Sequence, residues 1–165
     1  DWLELVLETR PTQATLVPVR PGEVTSEAGF DPNADSQEVR DAVARIKSLG
    51  IRVSLFVDPE PEPIEWAKSM AADRVELYTE PFARAFARGS LAARESFERY
   101  KRAAECAHTL GLGVNAGHDL DLDNLSLFRQ LPHLDEVSIG HALISRALFV
   151  GLTQVVQEYL SALKP

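Results

Sequence analysis

Short β-rich apolar runs alternate with helix-period segments along the whole of this 165-residue chain. The runs are Ala14-Thr15-Leu16-Val17-Pro18, Ile51 to Asp58, Arg74 to Thr79, Leu112 to Ala116 and Glu136 to Ile139. Longer stretches whose apolar residues recur at helical spacing lie between them. Strands that alternate with helices throughout imply a parallel sheet joined by right-handed crossovers. The expected class is therefore α/β, with five strands read from the sequence. A closed TIM (β/α)8 barrel has eight strands and usually about 250 residues. The chain reads as the last five β/α modules of such a barrel, a single domain over residues 1–165. A faint internal repeat supports modules of this kind. Ser48-Leu49-Gly50-Ile51-Arg52-Val53 resembles Thr109-Leu110-Gly111-Leu112-Gly113-Val114.

The connecting segments carry legible ends. Asp1 to Thr9 reads as the end of a helix with Trp2, Leu5 and Val6 on one side, stopped by Pro11. Val19 to Asn33 is a long loop containing proline and glycine, and a loop of that length in a compact domain is usually functional. Asp35 or Ser36 can cap a helix whose stripe is Val39, Val43 and Ile46, with Gly50 at its C-terminal end. Pro59, Pro61 and Pro63 are expected to form a stiff loop ahead of a helix from about Ile64 to Ala71. Pro81 to Gly89 reads as another loop that could hold a helical turn. Ser90 can cap the longest helix, with Phe97, Tyr100, Ala104 and Ala107 buried and Gly111 ending it. Asp121 or Asp123 can cap a short helix through Arg129. A last helix from about Ala142 to Leu163 has Ile144, Leu148, Val155, Tyr159 and Leu163 as expected core contacts.

Two strands end in the same dipeptide, Gly117-His118 and Gly140-His141. In parallel α/β folds the loops after strand C-termini carry the chemistry. A histidine titrates near neutrality, which suits His118 to proton transfer; a loop histidine bonded to backbone fits the same position. Gly140 would let a ligand approach the backbone as His141 opens a helix whose first-turn amides can hold phosphate. Simple turn chemistry is the other reading of that corner. Glu76 lies between Val75 and Leu77 and either faces a barrel interior, where burial perturbs its pKa, or sits on an exposed edge or beside an arginine. Asp58 ends a strand and suits the site, an N-cap or a turn equally well. Thr25 and Ser26 in the long loop could reach a ligand or form a local turn.

The remaining composition narrows the partners. Lys and Arg total 17 against 25 Asp and Glu, a net charge of −8. That balance argues against nonspecific binding to nucleic acid or an anionic membrane, though not against a small phosphorylated ligand. No apolar run approaches the roughly 20 residues of a membrane helix. The single cysteine, Cys106, fits a reducing compartment, so a cytoplasmic location is expected. Histidines, cysteine and carboxylates lack metal-ligand spacing, and no metal site is expected. His108 and His133 read as residues without partners, and the charges from Arg84 to Arg102 as a solvated helix face. Dinucleotide, P-loop and nucleophile-elbow patterns are missing. The opening Asp1-Trp2-Leu3 leads to the expectation that the chain begins inside something longer or after processing.

Assembled in order, these stretches resemble the pyridoxine 5'-phosphate synthase family. The resemblance rests on Glu8-Thr9-Arg10-Pro11, Leu16-Val17-Pro18, Glu23-Val24-Thr25-Ser26-Glu27 with Gly29 and Asp31, and Val53 to Asp58. It continues through Val75-Glu76-Leu77-Tyr78-Thr79, Leu110 to His118, and Ile139-Gly140-His141-Ala142-Leu143-Ile144. It implies a (β/α)8 barrel that forms homo-oligomers. It further implies condensation of 3-amino-2-oxopropyl phosphate with 1-deoxy-D-xylulose 5-phosphate, releasing pyridoxine 5'-phosphate, inorganic phosphate and water, without metal or organic cofactor. On this match His118 is the general acid and Glu76 stabilises charge. Gly140, His141 and the amide of Asp119 hold phosphate, and Thr25 contacts substrate. The family's early strands, expected ahead of residue 1, carry a further catalytic histidine and glutamate and the ligands of a substrate phosphate. Asp119 stands where the family's corner has glycine, and its charge is expected to repel phosphate. Tyr78 and Glu80 replace a histidine and a glycine. The alternatives are a noncatalytic phosphate-ligand or assembly module and another phosphate-binding barrel enzyme. A strand-end lysine would favour the latter, but Lys47, Lys68, Lys101 and Lys164 map to helices or the tail.

Overall fold

The computed structural model describes residues 2–20, 22–23, 25–34 and 36–164. Five parallel strands form one sheet in chain order: β1 (Gln13–Leu16), β2 (Arg52–Val57), β3 (Arg74–Tyr78), β4 (Gly113–Gly117) and β5 (Leu134–Ser138). The helices are α1 (Trp2–Thr9), α2 (Gln37–Ser48), α3 (Pro61–Ser69), α4 (Glu80–Ala87), α5 (Ser90–Thr109), α6 (Leu125–Phe128), α7 (His141–Val150) and α8 (Leu152–Ala162). The alternating module is the one the sequence leads to.

Side chains alternate across each strand, and the alternation divides two environments. Val53, Leu55, Val57, Val75, Leu77, Val114 and Ala116 are buried in the apolar core shared with the helices. That core is closed by Phe82, Phe97, Tyr100 and Phe128, whose rings pack edge to face or tilted, Phe82 and Phe128 at 4.9 Å. Burying a side chain of this size stabilises by about 2–3 kcal/mol. Tyr100 brings a polar atom into this layer, and its hydroxyl donates to the carbonyl of Tyr78 at 2.7 Å, tying α5 to the end of β3.

The opposite face is polar and concave. Arg52 donates to Gln13 Oε1 at 2.7 Å and to Glu136 Oε1 at 2.8 Å. Gln13 and Asn115 each donate to Glu136 Oε2 at 3.1 Å, and Arg74 reaches Asn115 and Asp135. Gln13 and Glu136 sit on the two edge strands of the sheet. A flat sheet of five strands would hold its edges about 19 Å apart, beyond the reach of one hydrogen bond between side chains. The sheet is therefore curled about its polar face.

Several local expectations change. α3 starts at Pro61, so Pro61 and Pro63 lie in its first turn, where an amide has no intrahelical acceptor to lose, and Pro59 stays in the loop ahead of it. Residues expected as a loop form α4, because Phe82 and Ala85 share a buried face and Pro81 falls in the first turn. Gly89 is the N-cap of α5, and Ser90 is its first helical residue. Ser36 is the N-cap of α2 without a side-chain cap, while Asp35 lies outside the described residues. The N-cap of α6 is Asn124, not Asp121 or Asp123; Asp121 instead holds the turn ahead of the helix, accepting from the amides of Asp123 and Asn124 at 2.9 and 2.8 Å. The last helix is two, broken at Gly151, whose φ of +87° is the left-handed region that favours glycine. Val155 and Tyr159 are buried as expected, but Ile144 and Leu148 are exposed, as are Trp2 and Leu5. On α1, Val6 packs against the core as expected, joined by Leu3 and Leu7. His108 and His133 do have partners: their rings stack at 3.7 Å, and His133 Nε2 lies 3.2 Å from Glu105. The charged stretch on α4 and α5 is partly paired, Arg84 with Glu80, Arg99 with Glu60 and Lys101 with Glu98.

Replacing Tyr100 by Phe removes the bond to a buried carbonyl while keeping the ring. Urea unfolding is expected to show a loss of about 1–2 kcal/mol, with the slope unchanged.

Candidate active site

At the C-terminal end of the sheet an open cleft of about 850 Å³ is lined by Val17, Thr25, Ser26, Phe56, Glu76 and His118, and by Asp119, Ser138, Ile139, Gly140 and His141. Thr25, Ser26, Glu76, His118, Asp119, Gly140 and His141, expected from the sequence, are among them, and Asp58 is not. No lysine lines it.

Glu76 comes from β3, with its side chain on the concave face and 7% exposed. Register sets it beside Phe56 and Asn115. Thr15 donates to its Oε2 at 3.3 Å. Gly117 on the next strand leaves it room: a Cβ there would stand 2.5 Å from Glu76 Oε1. Burial pushes the Glu76 carboxyl above the ordinary glutamate range. Bonds from Ser138 and Thr15 and the nearby His118 pull it partly back, while Glu136 adds to the rise.

His118 stands on the corner after β4. Its Nε2 lies 2.9 Å from the Thr25 hydroxyl, which joins the long loop to the corner. Its ring meets Tyr78 edge-on at 5.2 Å and Phe56 at 6.5 Å. Nδ1 is buried without a hydrogen bond; Asp119 Oδ2 approaches it at 3.5 Å. The backbone here is unusual. His118 has φ +90° and Asp119 φ +57°, successive non-glycine residues in the left-handed half of the map. Each costs about 1–3 kcal/mol and persists only where the surroundings impose it. The imposing groups are Thr79, whose hydroxyl donates to the carbonyls of Gly117 and His118, and Asn124, which donates to the Asp119 carbonyl at 3.0 Å. Both are almost wholly buried.

Gly140 is the N-cap of α7 and His141 its first residue. First-turn amides of a helix lack intrahelical acceptors and favour anions. Gly140, His141 and Ala142 also line a second cavity of about 370 Å³ together with Glu80, Arg84 and Asp119. Asp119 thus borders both spaces, and its carboxylate lies 3.5 Å from His118 Nδ1.

The long loop is fastened to β2. Phe30 donates its amide to the Phe56 carbonyl at 3.0 Å, and the Gly29 amide meets Asp58 Oδ1 at 3.4 Å. A Cβ on Gly29 would come within 2.5 Å of the Val57–Asp58 backbone, so only glycine permits this approach. Asp58 is therefore an anchor for the loop; it does not line the cleft, and the N-cap of α3 is Glu60. Thr15, Phe56, Thr79, Asn124 and Ser138 were missed in the sequence. No one-dimensional signal marks them, since Phe56 and Ser138 reach the cleft through pairing with Glu76 and Gly117 on neighbouring strands.

The raised Glu76 pKa has a stability consequence. Below the unfolded-state pKa the carboxyl is neutral in both states. As pH rises past it, the unfolded chain ionises more readily than the folded one, and stability falls. Glu76→Gln is expected to melt higher than the parent at pH 8, with the difference vanishing towards pH 4. A parallel pH dependence in the two proteins would contradict this burial argument.

Comparison with known proteins meets this geometry. Residues 1–165 match the family model described as pyridoxal phosphate biosynthesis protein PdxJ. Proteins named pyridoxine 5'-phosphate synthase are similar throughout. Those of Christiangramia forsetii and Flavobacterium johnsoniae are 48% and 49% identical over 165 residues, and that of Bacteroides thetaiotaomicron is 47% identical. In each case the match covers 99% of this chain and 68% of the relative. With a family match over residues 1–165 and relatives nearly half identical along the chain, the chain belongs to the PdxJ family of pyridoxal phosphate biosynthesis proteins.

Proposed function

We propose that this protein acts as a pyridoxine 5'-phosphate synthase in vitamin B6 biosynthesis, joining 3-amino-2-oxopropyl phosphate to 1-deoxy-D-xylulose 5-phosphate. The observation that carries this reading is one cleft containing Thr25, Glu76, His118, Asp119, Gly140 and His141. A general acid and a buried carboxylate share it with a helix N-terminus.

The roles follow from chemistry. Ring closure expels water, and a hydroxyl leaves readily only when protonated. His118 Nε2 supplies that proton, steered by the Thr25 hydroxyl at 2.9 Å. Condensation of an amine with a ketone passes through cationic imine character, which the Glu76 carboxylate offsets in a site where burial strengthens the interaction. The amides of Asp119, Gly140 and His141 hold phosphate, so no lysine or arginine is needed at that end. Phe56 offers an aromatic wall to a flat heteroaromatic product, with Tyr78 packed behind it at 5.4 Å.

The curled parallel sheet supports a (β/α)8 barrel closed by three further β/α units beyond the five strands of this chain. Those units would bring the family's remaining histidine, glutamate and phosphate ligands. Leu148 and Phe149 on α7 are 82% and 88% exposed, and Leu152 and Leu160 on α8 are exposed too. Apolar surface of this kind supports a homo-oligomer. No helix of the described residues is long and apolar enough to cross a membrane. A cytoplasmic location rests on the lone Cys106 and the acidic balance.

The decisive assay incubates the protein with both substrates and measures pyridoxine 5'-phosphate and inorganic phosphate. Turnover that falls about 10²–10⁴-fold in His118→Gln is expected. Binding of phosphate ligands without turnover, in a folded and barrel-complete protein, would replace catalysis with a binding role. The 18.2 kDa chain by itself is expected to scatter light as an oligomer, because both sheet edges are open; a stable monomer would count against the open-barrel reading.

A further inference from the structure

We propose that Thr79 is a positioning residue for His118, its hydroxyl holding the imidazole in register with the cleft; this rests on His118 acting as the acid. Thr79 is the N-cap of α4. A threonine there ordinarily accepts from an amide of the helix's first turn. Thr79 makes no such cap. Its side chain turns away to the neighbouring corner, where the hydroxyl donates to the carbonyl of Gly117 at 2.7 Å and to that of His118. The Thr79 amide donates to the same Gly117 carbonyl at 3.0 Å. The helix forgoes a cap so that the corner can have one.

The geometry explains why this pair of bonds is informative. The Gly117 carbonyl marks the peptide plane before His118, and the His118 carbonyl marks the plane after it. Two planes about one Cα define its φ and ψ. One hydroxyl proton shared between both carbonyls orients both planes, and so holds His118 at φ +90°, a value its side chain disfavours. Asn124 extends the hold by one residue, donating to the Asp119 carbonyl at 3.0 Å while its Oδ1 accepts from the Asp121 amide at 3.0 Å. The imidazole leaves the corner along the direction these planes set, and that direction takes Nε2 to the Thr25 hydroxyl at 2.9 Å. Freed of the hydroxyl, the corner can relax towards negative φ, and the ring swings off its line. Thr79 is fully buried and does not line the cleft, so it acts through His118 and touches no substrate.

The test compares Thr79→Val, which keeps shape and loses the hydroxyl, with Thr79→Ser, which keeps the hydroxyl. It uses the protein that is active in the synthase assay. Thr79→Val is expected to lower kcat roughly 10²-fold with KM for both substrates within about twofold, and Thr79→Ser to restore kcat to within about threefold. Wild-type kcat in Thr79→Val overturns the proposal, as does a Thr79→Ser variant no better than Val. The ring signal of His118, assigned by its loss in His118→Gln, reports the corner without turnover. It should move in Thr79→Val and stay in Thr79→Ser; an unmoved signal in Thr79→Val overturns the proposal. If His118→Gln keeps full activity, the acid assignment fails, while the ring signal still judges the hold. Should Thr79→Val not fold, the unmodified protein decides. A slowly exchanging Thr79 hydroxyl proton is expected, and one that exchanges freely with water overturns the shared bond.

Discussion

Everything functional in this protein hangs on strand register. Parallel pairing sets Phe56, Glu76, Asn115 and Glu136 in one row across β2 to β5, and Tyr78, Gly117 and Ser138 in the next. A slip of one residue on β3 would send the Glu76 carboxylate into the apolar layer between sheet and helices and bring Val75 or Leu77 to the cleft. The register is held because both faces penalise the slip. One face needs Val75 and Leu77 against the helices. The other needs Arg74 within reach of Asn115 and Asp135. The curl of the sheet completes the constraint, since Arg52 and Gln13 meet Glu136 only when the edges approach each other.

The end of the sheet that carries the cleft is built against the preferences of its own residues. A carboxylate is buried on β3, and desolvation works against its charged form. Successive side-chain-bearing residues adopt positive φ at the β4 corner. A threonine at a helix N-cap gives up the cap. Each departure weakens the fold locally, and together they lie within one short stretch of the sheet end. Local conflict concentrated at one place, in a chain otherwise consistent with its fold, is how a site that trades stability for function appears.

Asp119 illustrates how a family departure changes meaning in three dimensions. Read along the chain, an acidic residue beside a phosphate corner is a source of repulsion. The carboxylate is the charged group closest to a buried, unbonded imidazole nitrogen, 3.5 Å from His118 Nδ1. Aspartate also tolerates the left-handed conformation better than most residues, which suits it to the φ of +57° that this corner requires.

Much of this was legible beforehand for a simple reason. Alternating strands and helices, Gly-His corners and a lone carboxylate in an apolar strand are one-dimensional patterns. They named the α/β class, five strands in order, and Thr25, Glu76, His118, Asp119, Gly140 and His141. Helix ends were read less well, because Pro61, Pro81 and Ser90 suit both a loop and a first helical turn, and packing of Phe82 and Ala85 decides between them. Exposed Ile144 and Leu148 could not be told from core residues, since periodicity marks an apolar face without saying what covers it. By itself, then, the sequence determined which residues gather at the cleft and in which order the modules follow, because side-chain type and strand phase are local properties. Only the tertiary structure decided that Thr79 on one strand end restrains His118 on the next, and that Gly117 makes room for Glu76. Those relations cross between strands, and register and curl exist only in the folded sheet.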